Sequence, residues 1–317
     1  MERAFITGIA GFAGSHLAEH LRDKGWEVLG AEKSGVSLAH LEKVMGFIRV
    51  EECDIHRSEQ VAAALANAKP DVVFHLAAVT FVPSAENASQ KTLEVNVSGT
   101  LNVLEGCRGH APAAQVILIS SSEVYGKAPQ EEMPLREDRV PAPANFYALT
   151  KLCAEELGRF YQRSHSLPVV ILRPFNHIGP GQSPNFVTSS FARQIAEIEA
   201  GKREPVLSVG NLDAARDFTD VRDIVRAYSL AAERCRAGET YNVCSGRPHL
   251  VKELLDKLLD LTTARIEVRQ DPHRLRKSDV PLFYGDYSKF RHAADWAPER
   301  EITSTLKDIL DYWRGRV

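Results

Sequence analysis

Tyr147 and Lys151 stand four residues apart in Tyr147-Ala148-Leu149-Thr150-Lys151. That spacing puts a phenol and an ammonium on one helix face. A neighbouring cation draws a tyrosine pKa below its usual ~10. The pair therefore reads as acid/base chemistry on a sugar hydroxyl or keto oxygen near neutral pH. Upstream lies Ser120-Ser121-Ser122-Glu123-Val124-Tyr125-Gly126, leaving the end of an apolar run. Side chains at the carboxyl end of a parallel strand face the ligand crevice. A serine there either orients a reacting oxygen or caps a turn. Glu123 reads as a general base or as a polar turn residue, and the two differ in the reaction they imply.

Hydride chemistry needs a cofactor, and the first residues supply a place for one. Thr7-Gly8-Ile9-Ala10-Gly11-Phe12-Ala13-Gly14 joins a short apolar run to a helical pattern. Glycines at positions 8, 11 and 14 let the backbone turn sharply and approach a pyrophosphate, with Phe12 and Ala13 between them. The helix N-terminus adds free N–H groups and partial positive charge. The strand–turn–helix context is what makes this spacing a dinucleotide loop rather than a plain turn. Glu32 ends the next strand, where a carboxylate accepts from ribose hydroxyls and repels a 2′-phosphate. Lys33 beside it favours that phosphate instead. The pair leaves NAD and NADP both open and leans to NAD. Asp54 and Ile55, just past the third strand, are placed for the adenine edge, although Asp54 reads equally as a loop carboxylate.

The elements that must position these groups follow a strand–helix rhythm. Apolar runs at Ala4–Thr7, Glu27–Ala31, Phe47–Val50, Asp71–His75, Val116–Ser120 and Val169–Arg173 predict six strands. Helical spacing covers Phe12–Asp23, Ser58–Ala68, Thr92–Arg108 and Phe146–His165 between them. Alternation of this kind predicts an α/β fold, a Rossmann-type doubly wound parallel sheet. After Pro174 the rhythm changes to a turn-rich loop, helices near Val187–Ala200, Val221–Glu233, Val251–Leu261 and Thr303–Trp313, and short strands near Pro205–Val209 and Thr240–Val243. The expected division is a dinucleotide domain over 1–174 and a smaller, mostly helical substrate lobe over 175–317. Residues of about 210–245 are expected to return in part to the first domain.

Composition excludes several classes. The net charge is -3, with no basic stripe, so no nucleic-acid partner is expected. An anionic substrate must be held by a few arginines and helix N-termini. Five cysteines, an odd number without metal-ligand spacing, argue against a disulfide framework or a metal site. No leader pattern is seen, and no apolar run approaches the ~18 residues of a membrane helix. A cytoplasmic enzyme with no membrane association is the expectation.

Taken together, these blocks resemble the extended short-chain dehydrogenase/reductases, the NAD-dependent epimerase/dehydratases. The glycine loop, His75-Leu76-Ala77-Ala78, Asn96, Ser120–Gly126 and Tyr147…Lys151 carry the likeness over nearly the whole chain. The resemblance implies Tyr147 as acid/base, Lys151 also on the nicotinamide ribose, Ser121 completing the triad, and Leu76, Ala77 and Ala78 lining the cofactor. A narrower likeness lies in Arg173–Gln182 and Gly210–Asp223. These segments are similar to the GDP-4-keto-6-deoxy-D-mannose reductases and to the GDP-mannose 4,6-dehydratases. That likeness implies a GDP-linked sugar held by Asn176 and Arg216, with Arg276 and Asp279 completing the nucleotide pocket and Ser122 facing the substrate. It places His177 beside the cofactor, the alternative being a loop histidine. Asn145-Phe146 departs from the Ser-Pro usual before the tyrosine, and Lys277 stands where Pro is usual.

The implied activity is reduction of a C4 keto group with NAD(P)H, Tyr147 giving the proton. A 4,6-dehydratase would use Glu123 as an added base and retain its cofactor, but the threonine expected at Ser121 is absent. A 4-epimerase needs only the Ser/Tyr/Lys set. A dinucleotide-binding sensor or scaffold would be expected to have lost Tyr147 or Lys151. Helices Thr92–Arg108 and Phe146–His165 form a dimer face in relatives, so a homodimer is implied.

Overall fold

The computed structural model describes residues 2–274 and 280–317. The first half runs β1 (Arg3–Thr7), α1 (Phe12–Asp23), β2 (Glu27–Glu32), β3 (Ile48–Glu52), α2 (Ser58–Ala68), β4 (Val72–His75), α3 (Val82–Asn87), α4 (Ser89–Leu93), α5 (Gly99–His110), β5 (Gln115–Ile119), α6 (Phe146–His165) and β6 (Val169–Pro174). The second half runs β7 (Asn176–Ile178), α7 (Val187–Glu199), β8 (Val206–Val209), β9 (Ala215–Asp220), α8 (Val221–Arg234), β10 (Thr240–Val243), β11 (Pro248–Leu250), α9 (Val251–Leu259), β12 (Glu267–Gln270), β13 (Leu282–Phe283), α10 (Ser288–Ala294) and α11 (Ile302–Arg314).

Seven parallel strands form the main sheet in the order β10-β6-β5-β4-β1-β2-β3. Chain order reverses between β1 and β4, where Thr7 pairs with both Ala31 and His75. That reversal opens a crevice at the carboxyl ends of the strands, where ligands bind in such sheets. Continuous apolar runs are required because both faces are covered. On one face Leu17 and Leu21 of α1 pack with Val225 and Tyr228 of α8 and with the buried Trp296. On the other, Val61 and Leu65 of α2 meet Val103 and Leu104 of α5 and Tyr161 of α6.

β10 closes the sheet: Thr240 pairs with Ile171 and Val243 with Pro174. A strand read from the sequence as a short late element is thus the seventh strand of the main sheet. The second half of the chain forms a core of its own, where Phe191 and Ile195 of α7 pack with Leu254 of α9 and Leu306 and Ile309 of α11. It also holds a small sheet, β11-β9-β13 with β7 on β9, and a β12–β8 pair. β7, β11 and β13 have two or three residues, too few for a pattern, and β9 and β12 are rich in charged residues, so helices dominated the sequence reading of this region. The single helix expected over Thr92–Arg108 is corrected to α4, a π turn at Glu94–Ser98 and α5. One wide turn leaves the hydrophobic period nearly unchanged, which is why the pattern hid it.

Candidate active site

The loop between β1 and α1 is built for close approach. Gly8 has φ +72, and a Cβ there would lie 2.9 Å from the Ala77 backbone. A Cβ on Gly14 would sit 2.2 Å from the Gly8 carbonyl oxygen. Gly11 is the N-cap of α1 and brings no side chain to bond the first-turn amides. Those amides stay available to an anion, so the residues present fit a dinucleotide pyrophosphate.

Glu32 folds onto this loop. Its Oε2 accepts from the Ala10 N–H at 3.2 Å and its Oε1 from the Lys33 N–H at 3.2 Å. Lys33 is exposed. Asp54 accepts from the His56 N–H at 3.0 Å through Oδ1, an arrangement that shapes the turn after β3. Ile55 is buried beside it.

The acid/base groups sit on two elements. Ser121 caps the short turn Ser122–Tyr125, its Oγ accepting from the Glu123 N–H at 3.2 Å. Ser122 is buried in that turn. The adjacent Ser120 faces away and donates to buried Glu155 Oε1 at 2.6 Å, which separates it from the chemistry. Tyr147 and Lys151 are both buried in the first turns of α6.

The pKa expectation is corrected here. Burial pushes the Tyr147 phenol up to about 12, opposed by a hydrogen bond with Ser121 and assisted by the Glu123 charge. Burial also brings Lys151 down to about 8, opposed by the Glu155 charge. Spacing shows which groups meet but not how much water they lose, and the loss of water dominates for both.

A polar lattice fixes the helix that carries them. Asn96, on the π turn, accepts from the Val79 N–H at 2.8 Å and donates to the Val79 carbonyl at 3.1 Å and Thr150 Oγ1 at 3.0 Å. Thr150 in turn donates to the Tyr147 carbonyl at 2.8 Å. Thr100 Oγ1 gives its only proton to the Asn96 carbonyl at 2.6 Å, so it accepts from His75 Nε2 at 2.9 Å. His75 Nδ1 then accepts from Thr7 Oγ1 at 2.8 Å. Burial holds His75 down to about 3, the neutral ring this chain requires.

On the substrate side, Asn176 opens β7 and is exposed. His177 stacks on Phe12, with ring centroids 5.9 Å apart, and burial lowers its pKa. Arg216 lies on β9 and donates to the Ala215 carbonyl at 2.9 Å. Arg276 and Asp279 lie outside the described residues. Every described residue given a catalytic, cofactor or substrate role in the sequence reading borders one cavity of about 1450 Å³, including Leu76, Ala77, Ala78, Asn176 and Arg216. A cavity beyond the usual ~300–1,000 Å³ has room for two ligands.

The sequence reading missed three features. Phe81, after β4, meets Phe186, at the start of α7, edge to face at 5.8 Å, joining the two lobes over the cavity. Its position just past a strand's carboxyl end was the available signal. Arg274 borders the same cavity and donates to Ser190 Oγ at 3.1 Å. Asn145, noted only as a departure, caps α6 and bonds Glu123.

The family model for GDP-mannose 4,6 dehydratase matches residues 5–309. The chain belongs to this family. It is 35% identical to GDP-6-deoxy-D-mannose reductase of Pseudomonas aeruginosa, over 100% of this chain and 98% of that protein. Among solved structures, that of RMD from Pseudomonas aeruginosa complexed with NADPH superposes with a TM-score of 0.89 at 34% identity, covering 100% of both chains. Thermus thermophilus UDP-glucose 4-epimerase complexed with NAD gives a TM-score of 0.88 at 28% identity, over 99% of this chain and 100% of that one. These two structures share this chain's fold and differ in bound cofactor. Among the described residues, no helix is long and apolar enough to cross a membrane.

Proposed function

We propose that this family member is an NAD(P)H-dependent reductase of the C4 keto group of GDP-4-keto-6-deoxy-D-mannose. The observation that carries the reading is the buried Ser121–Tyr147–Lys151 set, which borders the same cavity as the glycine loop and Arg216. Full-length likeness to a GDP-6-deoxy-D-mannose reductase favours this direction and sugar.

When bound, the reduced dinucleotide supplies a hydride. The chain's own residues do the rest. The α1 amides hold the pyrophosphate, and Arg216 and Asn176 hold the substrate nucleotide and diphosphate. Arginine suits a diphosphate because its planar fork donates paired charged hydrogen bonds. Ser121 hydrogen-bonds the C4 oxygen. Tyr147 delivers its phenolic proton to that oxygen as negative charge develops there, and Lys151 stabilises the phenolate left behind. His177 supports the cofactor through Phe12, and Ser122 faces the sugar. Arg276 and Asp279 complete the base pocket in this reading.

A product assay tests the reaction. GDP-4-keto-6-deoxymannose with NADH or NADPH should give a reduced 6-deoxy sugar. A 4-keto product from GDP-mannose alone, without added cofactor, would replace the reading with a dehydratase. Glu32 favours NADH, because its carboxylate lies where a 2′-phosphate would be repelled. Glu32→Ala should raise the NADPH/NADH ratio of kcat/KM about tenfold or more, equivalent to ~1.4 kcal/mol. An unchanged ratio removes Glu32 from the cofactor site.

The working unit in this reading is a cytoplasmic homodimer. Leu93 of α4, Leu101 of α5, and Leu149 and Phe160 of α6 are all exposed large apolar side chains on packed neighbouring helices. A second copy of this chain would cover them.

A further inference from the structure

The helix that carries Tyr147 begins at a residue with two functions. Asn145 Oδ1 accepts from the Ala148 N–H at 2.8 Å, capping the helix. Its Nδ2 donates to Glu123 Oε2 at 2.9 Å. A serine would serve as the cap equally well. It has no amide N–H with which to make the second bond.

Glu123 is consequently held at both ends. Its backbone N–H is fixed by Ser121 Oγ at 3.2 Å and its carboxylate by the amide. It is half-buried, borders the cavity, and lies close enough to Tyr147 for its charge to oppose phenolate formation. A carboxylate in that position has a chemical consequence for a 4-keto sugar. The hydrogens on C3 and C5 flank the carbonyl and are acidic. The groups that polarise the C4 oxygen for hydride also stabilise an enolate there. An unrestrained Glu123 could take a proton from C3 or C5. The C–H bond would break, its electron pair would pass to the C4 oxygen as an enolate, and the proton would reside on the carboxyl. A hydrogen bond donated to a carboxylate occupies one of its oxygens and fixes its direction.

Resting on the C4-reductase reading, we propose that Asn145 is a positioning residue that restrains Glu123 from abstracting protons beside the ketone, so that hydride reaches C4 before C3 or C5 exchanges.

The test uses the full chain in D2O with GDP-4-keto-6-deoxymannose and oxidised cofactor, which cannot reduce it. Deuterium at C3 and C5 is followed by NMR. Wild type should exchange near the enzyme-free rate. Asn145→Ser keeps the cap and loses the donor, and should exchange at least tenfold faster. Asn145→Asp keeps the cap and adds a repelling charge, and should do the same. Adding Glu123→Gln to either should return exchange to the wild-type rate. The melting temperature of Asn145→Ser should stay near that of wild type, which separates the effect from loss of the helix. Equal exchange in wild type and both variants overturns the proposal, as does fast exchange that survives Glu123→Gln. A wild-type enzyme that reduces this ketone with neither NADH nor NADPH overturns the reductase reading, and the proposal with it.

Discussion

A phenol that ionises near 12 keeps its proton throughout the neutral range. That suits a donor in a reduction, where a pre-formed phenolate would have nothing to give. Tyr147→Phe should lower kcat by about 10²–10⁴-fold, the usual worth of a positioned acid. Cofactor binding, followed by fluorescence titration, should persist. Retained turnover would remove Tyr147 from the chemistry. Spacing singled out Tyr147, Lys151 and Ser121, which the fold brings to one cavity, because each proposed role needs a given residue type at a given point on a strand or helix. It did not reveal the direction of the tyrosine shift, because desolvation depends on everything packed around the ring. The pairing of Phe81 with Phe186 was illegible for a related reason: they are far apart in sequence and meet only in the fold. His75 offers a pH test at the same scale. Its ring is neutral in the fold, with a pKa near 3 against 6.5 for an unperturbed histidine. Below pH 6.5 the unfolded chain takes up a proton that the folded chain refuses. Stability from this residue is therefore complete above about 6.5 and lost as pH falls toward 3. His75→Gln should lower stability at pH 7 by ~1–3 kcal/mol through the broken Thr7–Thr100 chain. It should also flatten the decline in urea midpoint between pH 6.5 and 4. A decline as steep as in wild type would assign the acid sensitivity elsewhere.

Among the elements, α5 and α6 carry two duties. Their inner faces pack on the sheet through Val103, Leu104 and Tyr161, and their outer faces show Leu101, Leu149 and Phe160 to solvent. Leu101→Glu with Phe160→Glu should convert a dimer to monomers in light scattering. Each side chain is worth about 1.5–3 kcal/mol when fully buried. A dimer unaffected by both charges would place the interface on another face. The long regular elements were legible here. Val72–Phe74 and Val169–Leu172 are apolar throughout because both sheet faces are covered, and α6 runs twenty residues with a clear polar side. The π turn at Glu94–Ser98 was not, since the widening that turns Asn96 inward is a backbone event. β7 escaped for lack of length and β9 because Ala215-Arg216-Asp217-Phe218-Thr219-Asp220 is half charged, although they carry Asn176 and Arg216.

At the scale of the whole molecule, the two lobes are not two consecutive pieces of chain. β10 completes the first sheet after the substrate lobe has begun, and α8 packs over β5 and β6. A chain ending at Pro174 lacks both. It should aggregate or unfold without cooperativity, as seen by size exclusion and thermal melting, while a soluble, cooperative fragment would mean that β6 tolerates an open edge. The same arrangement matters during synthesis. About 70 residues separate Pro174 from Val243, which at ~5–20 residues/s is roughly 3–14 s of translation. Through that interval the β6 edge that later receives Val243 is unpaired, and its Val170 and Leu172 side chains lack the cover of α8. An open apolar edge is a site for pairing with other chains. Slow codons between 175 and 243 would prolong the exposure and lower soluble yield, and slow codons after Val243 would not.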